Sequence, residues 1–339
     1  MADALRTAYD AFLLDLDGTV YHGARPIPGA AEAIRRLREQ GTPVRFVTNN
    51  ASKAPGDVAA HLRALDVDAA PDEVSTSAQA AAKLLGDRLP AGSAVLVVGA
   101  PALEDEITAA GLKPVREAGD DGGDVAAVVQ GHNPATGWAD LAEACVAIRA
   151  GALWVACNVD TTLPTERGLL PGNGSMVAAL RTATGATPEV AGKPEAPLFH
   201  TAAASANASR PLAVGDRLDT DIAGAVTAGV DSLCVLTGVA TPATLVAAAP
   251  AERPTYLGAD LGALAEPPGE LRIAPQPGWQ VRPHGDTLVA DGDGTPLALL
   301  RTLCAVAWDT GVTALRPGGE RATAAFTELG LPTGGEPIR

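Results

Sequence analysis

Two carboxylates set one residue apart at the end of an apolar run are the first feature of this sequence that could do chemistry. Phe12-Leu13-Leu14 leads into Asp15-Leu16-Asp17-Gly18-Thr19. If the run is a strand that continues, alternation puts Asp15 and Asp17 on the same side, at the carboxyl end where open α/β sheets bind their ligands. Neighbouring carboxylates repel unless a cation or a shared proton relieves them, so the pair suits Mg²⁺ and phosphoryl chemistry. In isolation the same pattern also describes an acidic turn. The chain holds its own comparison, because Asp291-Gly292-Asp293-Gly294-Thr295 follows the apolar Leu288-Val289-Ala290. No lysine follows that second copy, and Asp-Gly is a strong hairpin signal, so a turn is expected there.

An ordered set of polar groups behind the first copy sets it apart. Thr48-Asn49-Asn50 ends the apolar Val44-Arg45-Phe46-Val47, Gly192-Lys193-Pro194 comes later, and Val214 leads into Gly215-Asp216-Arg217-Leu218-Asp219-Thr220-Asp221. Each of these groups is predicted at the end of a strand, where a parallel sheet would gather them. Taken singly, Lys193 reads as a surface lysine at a turn and Thr48 to Asn50 as a strand-ending cap; the four-part order is far more specific than any one part.

The elements that must position these residues are set by periodicity. Gly29 to Glu39 carries Ala30, Ala33, Ile34 and Leu37 at helical spacing and lies between the two strands, which makes a βαβ unit with a parallel pair. Helices are predicted at 57–65, 77–85, 103–110, 138–150 and 175–184. Strands are predicted at 94–98, 125–129, 153–157, 211–214 and 232–236. A long loop is expected over Asn158 to Gly174, a linker near Ala265 to Gly278, and a last helix near Leu297 to Asp309. The alternation is α/β throughout.

Composition excludes several function classes. The 339 residues carry 25 Lys+Arg against 40 Asp+Glu, a net charge of −15 that opposes binding to nucleic acid or an anionic membrane. Hydrophobic residues make up 47 %, enough for two or three cores. No segment is apolar for the roughly 20 residues a membrane span needs, and no export signal is expected at the N-terminus. Cys145, Cys157, Cys234 and Cys304 are scattered without a C-x-x-C pair, which argues against a zinc site or disulfide framework and suits a reducing cytoplasm. Val97-Val98-Gly99 before a helix hints at a nucleotide fold, but the glycines of the dinucleotide fingerprint are missing.

With these motifs in order, residues 10 to about 265 resemble the phosphatases of the haloacid dehalogenase superfamily, in particular the NagD-like subfamily. The resemblance implies a Rossmann-like parallel-sheet core with an inserted α/β cap. It implies that Asp15 attacks phosphorus to form an aspartyl-phosphate, while Asp17 protonates the leaving oxygen and later activates water. Asp15, the backbone carbonyl of Asp17 and Asp216 would bind Mg²⁺, Asp221 would orient a metal-bound water, and Asp219 would help the turn. Lys193 would neutralise charge, and the Thr48 hydroxyl with the Asn49 and Asn50 backbone would hold the phosphoryl oxygens. Asp17 separates phosphatases from the dehalogenases of the superfamily, which lack an acid there.

Asp17 and Thr48 are 31 positions apart, whereas Thr48 and Lys193 are 145 apart, about 90 more than a few core elements need. The cap therefore falls in the second interval. The expected organisation is a core over 1–85 and 189–268, a cap over 86–188 and a small C-terminal α/β segment over 279–339. The segment Asn158 to Gly168 resembles the subfamily's specificity loop, from which Arg167 would reach a polar substrate tail; His132, after a cap strand, reads as a turn residue. The C-terminal segment resembles the acetyltransferase-like tail of actinobacterial glycerol 3-phosphate phosphatases, without a convincing acyl-CoA loop.

The resulting expectation is a Mg²⁺-dependent phosphatase of glycerol 3-phosphate, assembled as a homodimer as relatives in the subfamily are. Pyridoxal phosphate, phosphoglycolate and nucleoside monophosphates are the alternative substrates, the ring of pyridoxal being disfavoured by scarce aromatics near the cap loop. A phosphotransferase, or a regulatory module that binds phosphate esters without turnover, are the rival classes.

Overall fold

The computed structural model describes residues 4–165 and 167–338. Among them it separates two compact units, one from Met1–Arg45, Leu65–Val67 and Ala206–Arg339, the other from Phe46–Ala64 and Asp68–Ser205.

In the first unit the strands Tyr256–Gly258, Asp231–Val235, Pro211–Gly215 and Ala11–Leu14 lie in that order and all run parallel, with Ala11 opposite Pro211 and Leu212 opposite Asp231. The start of Val44–Thr48 continues the sheet, Phe12 N–H donating to Pro43 O at 3.0 Å. Ala11–Leu14 is buried along its whole length, as a central strand covered on both faces must be. The crossover helix Ala30–Glu39 buries Ala30, Ala33, Ile34 and Leu37, the expected stripe, and pairs Glu32 with Arg35 and Arg36 on its outer face.

The C-terminal part of this unit is a three-stranded sheet, Trp279–His284 antiparallel to Thr287–Gly292 and that strand parallel to Leu315–Pro317, with the helices Pro296–Thr310 and Glu320–Glu328. Two expectations are corrected here. Asp291 and Gly292 are paired strand residues opposite Gln280 and Trp279, and the hairpin turns instead at Gly285-Asp286. Asp-Gly marks a turn only where the chain reverses onto itself; here Thr295 accepts the Ala298 N–H and caps a helix, so the segment is a strand-to-helix joint. The stretch 265–278 is packed rather than a linker. It contains the short helix Pro268–Leu271, and the buried Gln276 donates from its carboxamide to Gly269 O and Arg272 O and from its backbone N–H to the Thr302 hydroxyl.

One apolar core joins the two parts of the first unit. Leu218, Ile222, Cys234, Leu245 and Leu257 belong to the same buried cluster as Trp279, Leu299, Leu300, Leu303, Leu315 and Phe326.

The second unit holds the end of Val44–Thr48, which pairs in parallel with Val74–Thr76. It also holds a separate five-stranded sheet in the order Glu189–Val190, Leu153–Ala156, Ala127–Gln130, Ala94–Val98, Lys113–Val115, parallel throughout. Trp138–Arg149 and Asn173–Thr184 pack on it, and Trp154 is buried in this core while Trp138, at the start of its helix, is 84 % exposed. The expected loop 158–174 contains an antiparallel hairpin, Thr162–Thr165 with Gly168–Pro171. Its strands are short and interrupted by Pro164, Gly168 and Pro171, which hides the alternation that identifies a strand. Glu166 lies outside the described residues.

Truncating Phe326 to Ala is expected to cost about 3–5 kcal/mol, as for a fully buried aromatic ring, and to lower the urea midpoint reported by probes at the Asp216 loop as well as in the tail.

Candidate active site

The first unit gathers acidic groups at the carboxyl ends of its strands. Asp15 follows Ala11–Leu14, with its N–H donating to Val214 O at 2.8 Å, and Asp216 follows the neighbouring Pro211–Gly215. A π-helical turn, Leu218–Ile222, then brings Asp221 back. One carboxylate oxygen each from Asp15, Asp216 and Asp221 lie within 4.8 Å of one another, and Asp216 and Asp221 are only 1 % and 3 % exposed.

Backbone donors hold these charges in place. Asp216 Oδ2 accepts the Val239 N–H at 2.7 Å, and its other oxygen faces the Thr19 hydroxyl at 3.5 Å. Asp221 Oδ2 accepts the Arg217 N–H at 3.1 Å. Gly18, at φ +91°, has no room for a Cβ, which would sit 2.5 Å from Asp216 Cγ. The glycine of the D-x-D-G-T pattern is thus set by the fourth member of the constellation as well as by backbone conformation. Gly238 is constrained by the same carboxylate from the other side.

Asp17 is exposed and does not continue the strand, which stops at Leu14 before the chain turns through Gly18. Its Oδ1 lies 3.7 Å from His22 Nδ1, and the ring's other nitrogen is 2.8 Å from Thr237 O. Thr237 in turn donates its hydroxyl to Gly18 O at 2.6 Å. Asp219 is held by the Arg217 side chain through bonds of 3.0 and 2.7 Å, and these keep its carboxyl below the usual range despite partial burial.

In the second unit the other group of predicted residues meets. The Asn49 carboxamide clamps Lys193 at both backbone groups, accepting its N–H at 2.8 Å and donating to its carbonyl at 3.0 Å. Its Nδ2 also faces the Asp160 carboxylate at 3.3 Å. The Asn49 carbonyl accepts from Ser77 Oγ at 2.6 Å and Asn158 Nδ2 at 2.8 Å. Lys193 is 3 % exposed and donates from Nζ to Val47 O at 3.2 Å. Thr48 Oγ1 accepts the Asn50 N–H at 3.1 Å, and Asn50 Oδ1 accepts from Ser52. Arg167 is exposed beside the hairpin, and His132 follows Ala127–Gln130, where its neighbour Asn133 bonds Gly99 O.

Sequence reasoning missed His22, Thr237, Gly238, Val239, Ser77 and Asn158. His22 acts through its ring, while Thr237, Gly238 and Val239 contribute a carbonyl, a missing side chain and an N–H, which leave little mark on composition. The polar repeat Asn158-Val159-Asp160 after a strand was the available signal for the last of them.

The arrangement can do one thing well. Three clustered carboxylates, two of them buried, offer hard oxygen donors of the kind Mg²⁺ prefers, so the donor set fits that ion. With a fourth, exposed carboxyl at Asp17, they define a phosphoryl-transferring α/β hydrolase.

Comparison with known proteins agrees. The description "Haloacid dehalogenase-like hydrolase" matches residues 12–113, a second description of the same superfamily matches 190–264, and a "GCN5-related N-acetyltransferase like domain" matches 276–331. The D-glycerol 3-phosphate phosphatase of Mycobacterium tuberculosis is 49 % identical over 346 residues, covering 97 % of this chain and 96 % of that protein. A crystal structure of the glycerol phosphate phosphatase from the same organism in complex with magnesium superposes with a TM-score of 0.93 at 49 % identity, covering 98 % of this chain and all of that one. The acid sugar phosphatase of Staphylococcus aureus is 39 % identical over 69 % of this chain and 88 % of its own length. A thermostable NPPase of Geobacillus stearothermophilus matches with a TM-score of 0.68 at 33 % identity, over 77 % of this chain and 98 % of that one. The chain belongs to the haloacid dehalogenase-like hydrolases, and it is a phosphatase.

Replacing Asn49 with Ala removes the clamp and leaves two buried backbone groups of Lys193 to find new partners. It is expected to cost about 1–3 kcal/mol and to raise KM for p-nitrophenyl phosphate, as checked by urea unfolding and steady-state kinetics.

Proposed function

We propose that this phosphatase hydrolyses glycerol 3-phosphate to glycerol and phosphate. The supporting observation is the end-to-end similarity to the mycobacterial glycerol phosphate phosphatase, C-terminal module included, where phosphatases with other named substrates match only 69–77 % of the chain.

In the proposed mechanism a carboxylate oxygen of Asp15 attacks the phosphorus, forming the aspartyl-phosphate bond as the ester P–O bond breaks. Asp17 donates its proton to the departing glycerol oxygen. Water then attacks the phosphorus, Asp17 takes the proton from it, and the bond to Asp15 breaks to release phosphate. The exposure of Asp17 beyond the buried carboxylates suits a group that must exchange protons with both alcohol and water. Thr48, Asn49 and Asn50 hold the phosphoryl oxygens, and Lys193, ordered by the Asn49 clamp, supplies a fixed positive charge. Asp15, the Asp17 carbonyl and Asp216, with Asp221 beside them, would hold Mg²⁺, which when bound would offset the repulsion between an anionic ester and an anionic nucleophile. Residues 86–188 act as the cap, and Arg167 reads the polar end of the substrate.

Asp15→Asn is expected to lower kcat by about a thousandfold or more, and Asp17→Asn by about a hundredfold or more. Retained turnover in Asp15→Asn would sink the mechanism. In a panel of phosphate esters at saturating Mg²⁺, glycerol 3-phosphate is expected to lead pyridoxal phosphate, phosphoglycolate and nucleotides by about tenfold in kcat/KM, roughly 1.4 kcal/mol of transition-state preference. A different leader would reassign the substrate and leave the chemistry standing.

We further propose a cytoplasmic homodimer. The four free cysteines, with the Cys157 thiol pushed up to about 12 by burial, suit a reducing compartment, and no described helix is long and apolar enough to cross a membrane. Light scattering coupled to gel filtration is expected to return twice the chain mass; a monomer would overturn the dimer.

A further inference from the structure

We propose that Arg301 and Trp308, in the C-terminal module, are positioning residues for the Asp216 carboxylate. The inference rests on reading Asp216 as part of the metal site.

The link is a short chain of backbone groups inside the first unit. Asp216 is fixed by Val239, whose N–H donates to Oδ2 at 2.7 Å, and by Ala240, whose N–H donates to the Asp216 carbonyl at 2.8 Å. Both donors sit on an irregular segment that includes Gly238; Val239 is 62 % exposed, and the segment is anchored at one end by the Thr237 hydroxyl on Gly18 O and at the other by the buried Ala240. The segment runs into the single-turn helix Pro242–Val246, too short to be stable without packing.

The module reaches this segment directly at its short helix and indirectly through the strand Tyr256–Gly258. The Trp308 indole N–H donates to Leu245 O at 3.0 Å, close to the end of the short helix. The Arg253 guanidinium lies 5.3 Å over the Trp308 ring, with Nη1 3.4 Å from the Trp308 carbonyl. The buried Arg301 donates twice to Leu257 O, at 3.0 and 2.7 Å. Leu257 is paired to Cys234 in the strand that feeds the segment, and Leu236 donates onward to Ala259 O at 3.1 Å. Beneath them, Leu218 and Ile222 of the Asp221 turn share a core with Leu299, Leu303 and Cys304 of the same helix, Pro296–Thr310.

This gives the appended module a task in phosphoryl transfer that needs no acyl group.

The test uses full-length Trp308→Phe, which keeps an apolar ring and removes one N–H, and Arg301→Lys, which keeps the charge and removes the fork. Mn²⁺ binding is monitored by electron paramagnetic resonance and Mg²⁺ activation by hydrolysis of p-nitrophenyl phosphate. Each variant is expected to raise the half-saturating ion concentration about fivefold, the effect of losing one hydrogen bond, with KM for the ester unchanged at saturating ion. Trp154→Phe is the control, since it removes an indole N–H bonded to Gln130 in the second unit and is expected to leave ion binding unmoved. The proposal is overturned if both test variants bind Mn²⁺ as the wild type does, or if Trp154→Phe weakens binding as much. A wild-type chain that binds no Mn²⁺ would overturn the metal-site reading, and this inference with it.

Discussion

Like charges must be held together before this protein can do anything. Asp15, Asp216 and Asp221 present oxygens within 4.8 Å of each other, two of them on nearly buried side chains, and mutual repulsion opposes that placement at neutral pH. Main-chain geometry supplies much of the restraint. Parallel strands bring Asp15 and Asp216 to adjacent strand ends, the π-helical turn folds Asp221 back, and backbone N–H groups of Arg217 and Val239 donate to the carboxylates without adding a competing cation. The glycines at 18 and 238 leave the volume that the Asp216 carboxylate fills. A cluster of hard carboxylate oxygens built this way is the kind of donor set a divalent ion such as Mg²⁺ prefers.

The second unit solves the opposite problem, a lysine with almost no access to water. Lys193 is placed by its backbone, through a carboxamide that accepts from its N–H and donates to its carbonyl. Asn49 is then fixed by Ser77 and Asn158, and Asn158 by Asn173, which also bonds the carbonyl of Gln130. The Asn49 side chain, to which the sequence reading gave no role, is therefore a structural hub. Such networks hold a buried charge in one place.

The C-terminal module is continuous with the first unit's core and is not a separate bead on a linker. Residues of the sheet core and of the tail occupy one apolar cluster, and the connecting stretch 265–278 is itself anchored through Gln276. The same helix that closes this cluster reaches the segment that fixes Asp216. Shared packing of this kind makes the tail part of the working fold.

By itself the sequence determined the α/β class, the crossover helix and the acidic strand ends. These are local signals: apolar alternation, a stripe at helical spacing in Ala30–Glu39, and charged residues next to strands. Only the tertiary structure decided the rest. The hairpin within 158–174 was hidden because prolines and a glycine interrupt its short strands, and Asp291–Gly294 read as a turn because Asp-Gly signals chain reversal without saying what lies beyond it. Asp219 and Asp221 are two residues apart and of one type; the first pairs with Arg217 and the second joins the carboxylate cluster, contacts that residue type alone does not distinguish. Asn49 as a clamp, Val239 as a donor and Gly238 as the space beside a carboxylate depend on partners that are 22 to 144 residues away. Each of these contacts has a backbone group or empty space on at least one side, and every residue has a backbone, so residue type alone does not identify the partners.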